Sequence, residues 1–280
     1  MRKRWVIVGA VMVLSACSAA EVTADRDDDI ATEHRVSKIV SATSPGTAKA
    51  KPESGTVTFA DNEKKGTAER EFTYSWPSEV AEIPELAAEL KERRAADLAG
   101  QKNGWTDQID NCPPESESCS MSAFELEWQV VADTPRFLSL SNSFYIYAGG
   151  AHGMHGRGSL IWDKQERRSL DPYDVFTSLE AVENAMGDRA CTLLNREREK
   201  RRGMPVEPGN WPDQCVAMGD ETVLFFGSSG KGKIDRIGIY YAPYIAGPYA
   251  EGDFEFTLPV TEAMMQAVKP QYRGAFARAQ

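Results

Sequence analysis

Two histidines spaced three apart in a glycine-rich segment offer the first place in this chain where chemistry could reside. Tyr147-Ala148-Gly149-Gly150-Ala151-His152-Gly153-Met154-His155-Gly156 holds two of the three histidines in the sequence, and HxxH spacing invites a metal reading. The residues between them are Gly and Met, and no Glu follows His152 to serve as a base. The glycines also disfavour a helix that would present both rings on one side. The segment therefore reads as a turn needing positive φ, with His152 hydrogen-bonded inside it and His155 exposed. No metal ligand set and no cofactor are expected from it.

A second candidate, Gly227-Ser228-Ser229-Gly230-Lys231-Gly232-Lys233-Ile234, nearly spells a phosphate loop. Ile234 stands where a magnesium-binding hydroxyl is needed, and alternating residues follow instead of a helix whose N-terminus could cradle phosphate. A hairpin turn is the expectation. No GxSxG elbow occurs, so serine hydrolase chemistry has no positive support. Acidic pairs such as Asp171 and Asp174 cannot be assigned to glycosidase work, because that assignment depends on the distance between carboxylates in space.

The elements that must position these residues follow from periodicity. Phe72-Thr73-Tyr74-Ser75-Trp76 alternates with period two and stops at Pro77, which predicts a strand with one buried face. Ile83, Leu86, Ala87 and Leu90 then repeat at helical spacing, with Pro84 in the first turn and Gly100 as the expected stop. Phe124, Leu126, Trp128 and Val130 alternate with polar neighbours. The next strand, 137–147, puts Leu138, Leu140, Phe144 and Ile146 on one face and Ser139, Ser141, Ser143, Tyr145 and Tyr147 on the other. A further strand spans 158–163. Leu179, Val182, Met186, Leu193 and Leu194 trace a helix ending near Gly203, and an irregular proline-rich loop follows it. Strands at 222–226, 234–241 and 254–258 and a short helix from Thr261 complete an α+β body of antiparallel or mixed sheets with packed helices, since strict βα alternation is missing.

The N-terminus carries an address. Arg2, Lys3 and Arg4 precede a ten-residue apolar stretch too short to span a bilayer, and it closes on Leu14-Ser15-Ala16-Cys17, the form of a bacterial lipobox. Residues 1–16 thus read as a lipoprotein signal peptide, with Cys17 as the site of lipidation and palmitate attachment. The acyl chains would anchor the chain to a membrane without spanning it. With Ser18 in place of Asp, the resemblance to Gram-negative lipoproteins implies an outer-membrane lipoprotein with a periplasmic body. Residues 17–66 read as anchor and flexible tether: Ser18 to Thr58 contains no aromatic residue, and flexible chain of that length reaches roughly 35 Å. Val36 to Val40 is the one stretch there able to pair as a strand, and His34 reads as a solvated side chain.

Four cysteines remain besides Cys17: Cys112, Cys119, Cys191 and Cys215. An even number in an exported chain suggests disulfides, and three connectivities are possible. Chain order and helix placement favour Cys112 with Cys119 and Cys191 with Cys215; the spacings are not those of a zinc knuckle. The 280-residue chain carries a formal net charge of −10, which speaks against nucleic acid as a partner because phosphate would be repelled.

Ser139-Leu140, then Tyr145, Tyr147 and Gly149-Gly150-Ala151-His152-Gly153, then Leu170-Asp171 and Val175-Phe176, resemble the "LSL…YxYtGGAHG…L.L.dlF" run of the PdaC/RsiV-like bacterial envelope domains. Tyr240-Tyr241-Ala242-Pro243-Tyr244-Ile245-Ala246-Gly247-Pro248-Tyr249, closing on Leu258-Pro259-Val260, is similar to that family's "Y.pYeiAPYaaG…ip" ending. The resemblance covers about Phe72 to Tyr272. It implies an α+β fold of two apposed halves, set here at 67–165 and 166–280. It also implies an envelope module of unknown function, found in lysozyme-sensing anti-sigma factors and ahead of polysaccharide deacetylase domains. The sigma-binding segment, transmembrane helix and deacetylase domain of those proteins have no counterpart in the motifs of this sequence, so their overall activities do not carry over. The function expected is binding or sensing of an envelope protein, lysozyme-like, or of a peptidoglycan glycan, through Tyr147, Gly149, Gly150, His152, Tyr244 and Tyr249. The alternative is a cell-wall hydrolase centred on His152. No catalytic residue is assigned.

Overall fold

The computed structural model describes residues 55–113, 120–207, 209 and 211–279. The signal peptide, Cys17, His34, the stretch 36–40 and Cys119 lie outside the described residues, as does all of the tether before residue 55. Within the tether boundary set at 66, however, two strands form, β1 (Val57–Ala60) and β2 (Glu63–Lys65). Both pair antiparallel with β3 (Ala68–Trp76). Phe59 supplies the burial that the composition upstream lacks: its ring meets Phe72 edge-on at 6.1 Å, and the Arg94 guanidinium lies 4.0 Å from its centre. The charged Glu63-Lys64-Lys65 has no alternation by which it could be read as a strand.

After β3 come α1 (Ser78–Ala81) and the long α2 (Pro84–Asp110), and then four strands: β4 (Met121–Asp133), β5 (Phe137–Tyr147), β6 (Met154–Asp163) and β7 (Arg168–Leu170). The seven strands form one sheet in the order β1-β3-β4-β5-β6-β7, with β2 also on β3. β3 and β4 run parallel because α2 carries the chain back between them; the other pairs are antiparallel. Pro84 occupies the first turn of α2 as expected, but the helix continues past Gly100 to Asp110. Tertiary contacts override the glycine. Trp105 is buried, and Gln101 Nε2 donates to the Glu71 carbonyl at 2.8 Å.

One face of the sheet packs on α2. Phe72, Tyr74, Trp76, Phe124, Trp128, Leu138, Leu140, Leu160 and Trp162 form a core with Leu86, Ala87 and Leu90. Phe72 and Phe124 are register partners whose rings stack at 4.9 Å, and Trp128 Nε1 donates to the Tyr74 hydroxyl at 3.0 Å. The alternation in the sequence predicted this face correctly.

The opposite face of the same sheet contributes Ala132, Phe137, Ile161 and Leu170 to a second core. Its other members come from α3 (Leu179–Val182), a π segment (Glu183–Gly187), α4 (Asp188–Arg202), and a three-stranded antiparallel sheet of β8 (Val223–Gly227), β9 (Arg236–Tyr241) and β10 (Phe254–Pro259). A short α5 (Glu262–Ala267) closes the body. Phe137 meets Phe226 at 6.5 Å, and Arg157 on β6 pairs with Glu255 on β10 and lies over Phe225 at 4.8 Å. The two sheets are thus apposed, although β7 belongs to the first sheet while lying beyond residue 165. Along α3 to α4, Val182, Met186, Ala190 and Leu194 are buried while Leu179 is exposed. A repeat of four drifts forward around a regular α-helix, and the wider π turn takes up part of that drift. The helix stops at Gly203, which takes φ 67°.

Candidate functional site

The glycine-histidine segment is the connection between β5 and β6. Gly149 and Gly150 take φ of 85° and 90°, values that a Cβ disfavours, and the Tyr147 hydroxyl donates to the Gly150 carbonyl at 3.0 Å. The positive-φ turn read from the sequence is therefore present. The segment that nearly spells a phosphate loop is a hairpin connection, as expected: β8 and β9 are antiparallel neighbours joined across 228–235, and Ile234 is buried.

The Tyr244–Tyr249 segment reaches the β5–β6 turn from the other sheet. The Tyr249 hydroxyl donates to the Gly153 carbonyl at 2.8 Å, and the same carbonyl accepts from His152 Nδ1 at 3.0 Å. Because a carbonyl only accepts, His152 carries its proton on Nδ1 in this arrangement. The Tyr249 ring lies over His152 with centroids 4.0 Å apart and an interplanar angle of 20°. Tyr244 approaches Tyr249 at 5.4 Å, and His155 meets it edge-on at 6.0 Å.

Tyr145 completes the cluster. It is the cross-strand partner of His155, and a Cβ on Gly153 would come within 2.5 Å of the Tyr145 ring. Burial raises the Tyr145 phenol above its usual value, with Tyr249, Tyr147 and Glu125 adding to the shift. Tyr145 and Tyr244 remain 38% and 48% exposed. Tyr244 also sits at φ 73°, a backbone state uncommon for an aromatic residue and found disproportionately where function constrains the chain.

Of the residues singled out in the sequence, Tyr147, Gly149, Gly150, His152, Tyr244 and Tyr249 all fall in or beside this cluster. His155 differs from expectation: it is half-buried against Tyr249, whereas His152 is the exposed ring. Tyr145 and Gly153 matter more than the sequence reading implied, because their contact depends on strand register.

The cluster offers hydrogen-bond donors and aromatic faces. Among the described residues no group of three or more His, Cys, Asp or Glu could hold a metal ion. The His152 Nδ1 partner is a backbone carbonyl, so the carboxylate required by the hydrolase alternative is not what orients this ring. Asp171 has a structural task, accepting from the Tyr173 backbone N–H at 2.8 Å as a cap. It lines a cavity of about 690 Å³ with Asp174, Tyr173 and Asp220. Burial raises its carboxyl above the usual range, with the charges of Asp174 and Asp220 adding. None of the six predicted binding residues lines that cavity.

Cys191 and Cys215 are disulfide-bonded, as favoured from chain order. Cys112 is also disulfide-bonded, and the residue favoured as its partner lies outside the described residues. Among the described residues no helix is long and apolar enough to cross a membrane.

No curated protein matches this chain. Solved structures similar to it include a DUF3298 family protein from Pseudomonas aeruginosa PAO1 and a member of the same family from Bacteroides fragilis. The first is 19% identical, with 80% of this chain and 97% of that one covered and a TM-score of 0.46. The second is 15% identical, with 79% and 96% covered and a TM-score of 0.46. A family model described as Deacetylase PdaC matches residues 63–155. That match begins at β2 and ends at His155, so it includes the glycine-histidine turn and stops short of Tyr244 and Tyr249. Over residues 63–155, then, the chain is similar to the PdaC family.

Proposed function

We propose that this chain is a lipid-anchored binding or sensing module of the bacterial cell envelope, and that it captures its partner on the rim formed by Tyr145, Tyr147, Tyr244, Tyr249 and His152. The observation that carries this reading is the meeting of two segments distant in sequence on the single carbonyl of Gly153. Exposed tyrosines present large, stiff, amphipathic faces with hydroxyl ends, which suit both sugar rings and protein anchors. The partner proposed is a lysozyme-like protein or a peptidoglycan glycan, met in the periplasm, with the body held to the outer membrane through Cys17.

Capture by isolated peptidoglycan sacculi and by an immobilised lysozyme tests the rim. Tyr249→Ala should weaken capture at least about tenfold, the loss expected of a buried aromatic anchor, and Tyr147→Ala should weaken it less. Circular dichroism should show both variants folded. Normal capture by both places the binding surface elsewhere, and unfolding of both makes the tyrosines scaffold. The anchor is tested separately by palmitate labelling: Cys17→Ser should abolish incorporation, and unchanged incorporation contradicts the lipobox reading.

A further inference from the structure

Three arginines of α4 hold the segment that carries Tyr249. Arg198, 1% exposed, donates through Nε to the Ala246 carbonyl at 2.9 Å and through Nη1 to the Gln214 carbonyl at 3.1 Å and to Asn195 Oδ1 at 2.9 Å. Arg202 grips both carboxylate oxygens of Glu251, at 2.7 and 2.9 Å, and pairs with Asp213. Arg201 donates to the Glu251 and Asp253 carbonyls.

Arg198 and Arg202 therefore each touch two stretches of chain. One is 246–251, which includes Tyr249. The other is Asp213-Gln214, directly before Cys215, whose disulfide to Cys191 ties that stretch to α4. Asn195 closes the circuit, since its Nδ2 donates to Cys191 Sγ at 3.6 Å while its Oδ1 accepts from Arg198. Burial and then the neighbouring Arg202 disfavour the charge on Arg198, so this guanidinium depends on the acceptors that the two stretches supply. Cys215 is exposed and open to a reductant.

We propose that the Cys191–Cys215 disulfide is a redox-controlled brace of the tyrosine rim, acting through Arg198 and Arg202 to keep Tyr249 stacked on His152. A dithiol reductant breaks the brace. Its thiolate attacks Cys215 Sγ, the Cys191 sulfur leaves, and the second thiol of the reductant resolves the mixed disulfide. Two electrons and two protons pass to the chain, which gains two thiols, and the reductant departs as a disulfide. Released from α4, the stretch at 213–214 no longer completes the arginine shells, and the 246–251 segment loosens. The consequence for capture rests on the rim being the binding surface; the test does not.

Proton NMR of the His152 ring in the full chain reads the stack directly, because a phenol face 4.0 Å away shifts those protons upfield. Tyr249→Leu identifies that shift by removing it. In the Cys191→Ser, Cys215→Ser double variant the shift should fall by more than half, and amide exchange at 246–251 should rise about tenfold while β9 amides stay protected. Arg202→Ala with the disulfide intact should reproduce the effect, and Arg202→Lys should restore part of it. Retention of both the shift and the protection in the double serine variant overturns the proposal. So does loss of β9 protection, which would make the disulfide a support of the whole fold and not of the rim. An Arg202→Ala variant with wild-type signals overturns the arginine route. Capture forms no part of these readouts, so they can fail or succeed independently of the binding assays.

Discussion

The carbonyl of Gly153 organises the rim: it accepts from Tyr249 and from His152, and the missing side chain of the same residue leaves space for Tyr145. Residue types made part of this legible, since paired glycines before a histidine signal a positive-φ turn and tyrosines among Pro and Gly signal a non-strand segment. The Tyr145–His155 pairing was not legible. Both are strand residues whose meeting depends on cross-strand register, which the tight turn and the alternation fix only together. For the same reason His155 is tucked against Tyr249 when the sequence suggested that it would be free. Gly153→Ala tests the packing: the backbone of Gly153 needs no positive φ, and the clash falls on the far end of a movable side chain. We expect stability within about 1 kcal/mol of wild type, with the Tyr145 ring displaced and its NMR signals shifted. Unchanged Tyr145 signals would contradict the contact.

The strands that pack on α2 were readable because aromatic and aliphatic residues alternate on them with polar ones, and β5 follows the predicted bounds and faces. Where local signals conflict with tertiary contacts, the contacts prevail. Gly100 reads as a helix stop, but Trp105 and Gln101 beyond it are anchored on the sheet, so α2 runs on. That makes Gly100 a cost carried by the helix, and a Cβ there meets nothing within 4 Å. Gly100→Ala should therefore stabilise the protein by about 1 kcal/mol in denaturant unfolding. A loss of stability would show that the helix needs the glycine. β1 and β2 went unread for the opposite reason, because short edge strands gain their order from β3 and carry little pattern of their own.

Seen as one body, the α+β class was accessible from the order of strand and helix patterns and the two apposed halves from the family resemblance, but the covering of the polar face was not. Ser139 and Ser141 alternate as a solvent face would, yet they are 0% and 2% exposed, and Arg157, which donates to Ser141, pairs across to β10. Alternation reports which residues share a face and is silent on whether another sheet lies over it. The same apposition brings the tyrosine segment of one sheet to the glycine-histidine turn of the other, and it is why the rim exists only in the assembled chain. Chemical-shift mapping of the isotope-labelled chain during titration with soluble peptidoglycan fragments, and in parallel with lysozyme, locates the contact surface. Perturbations from the ligand that binds should gather at Tyr145, Tyr147, His152, Gly153, Tyr244 and Tyr249. Saturable binding whose perturbations leave those residues unmoved, and fall instead on α2 or on the cavity beside Asp171, would contradict it.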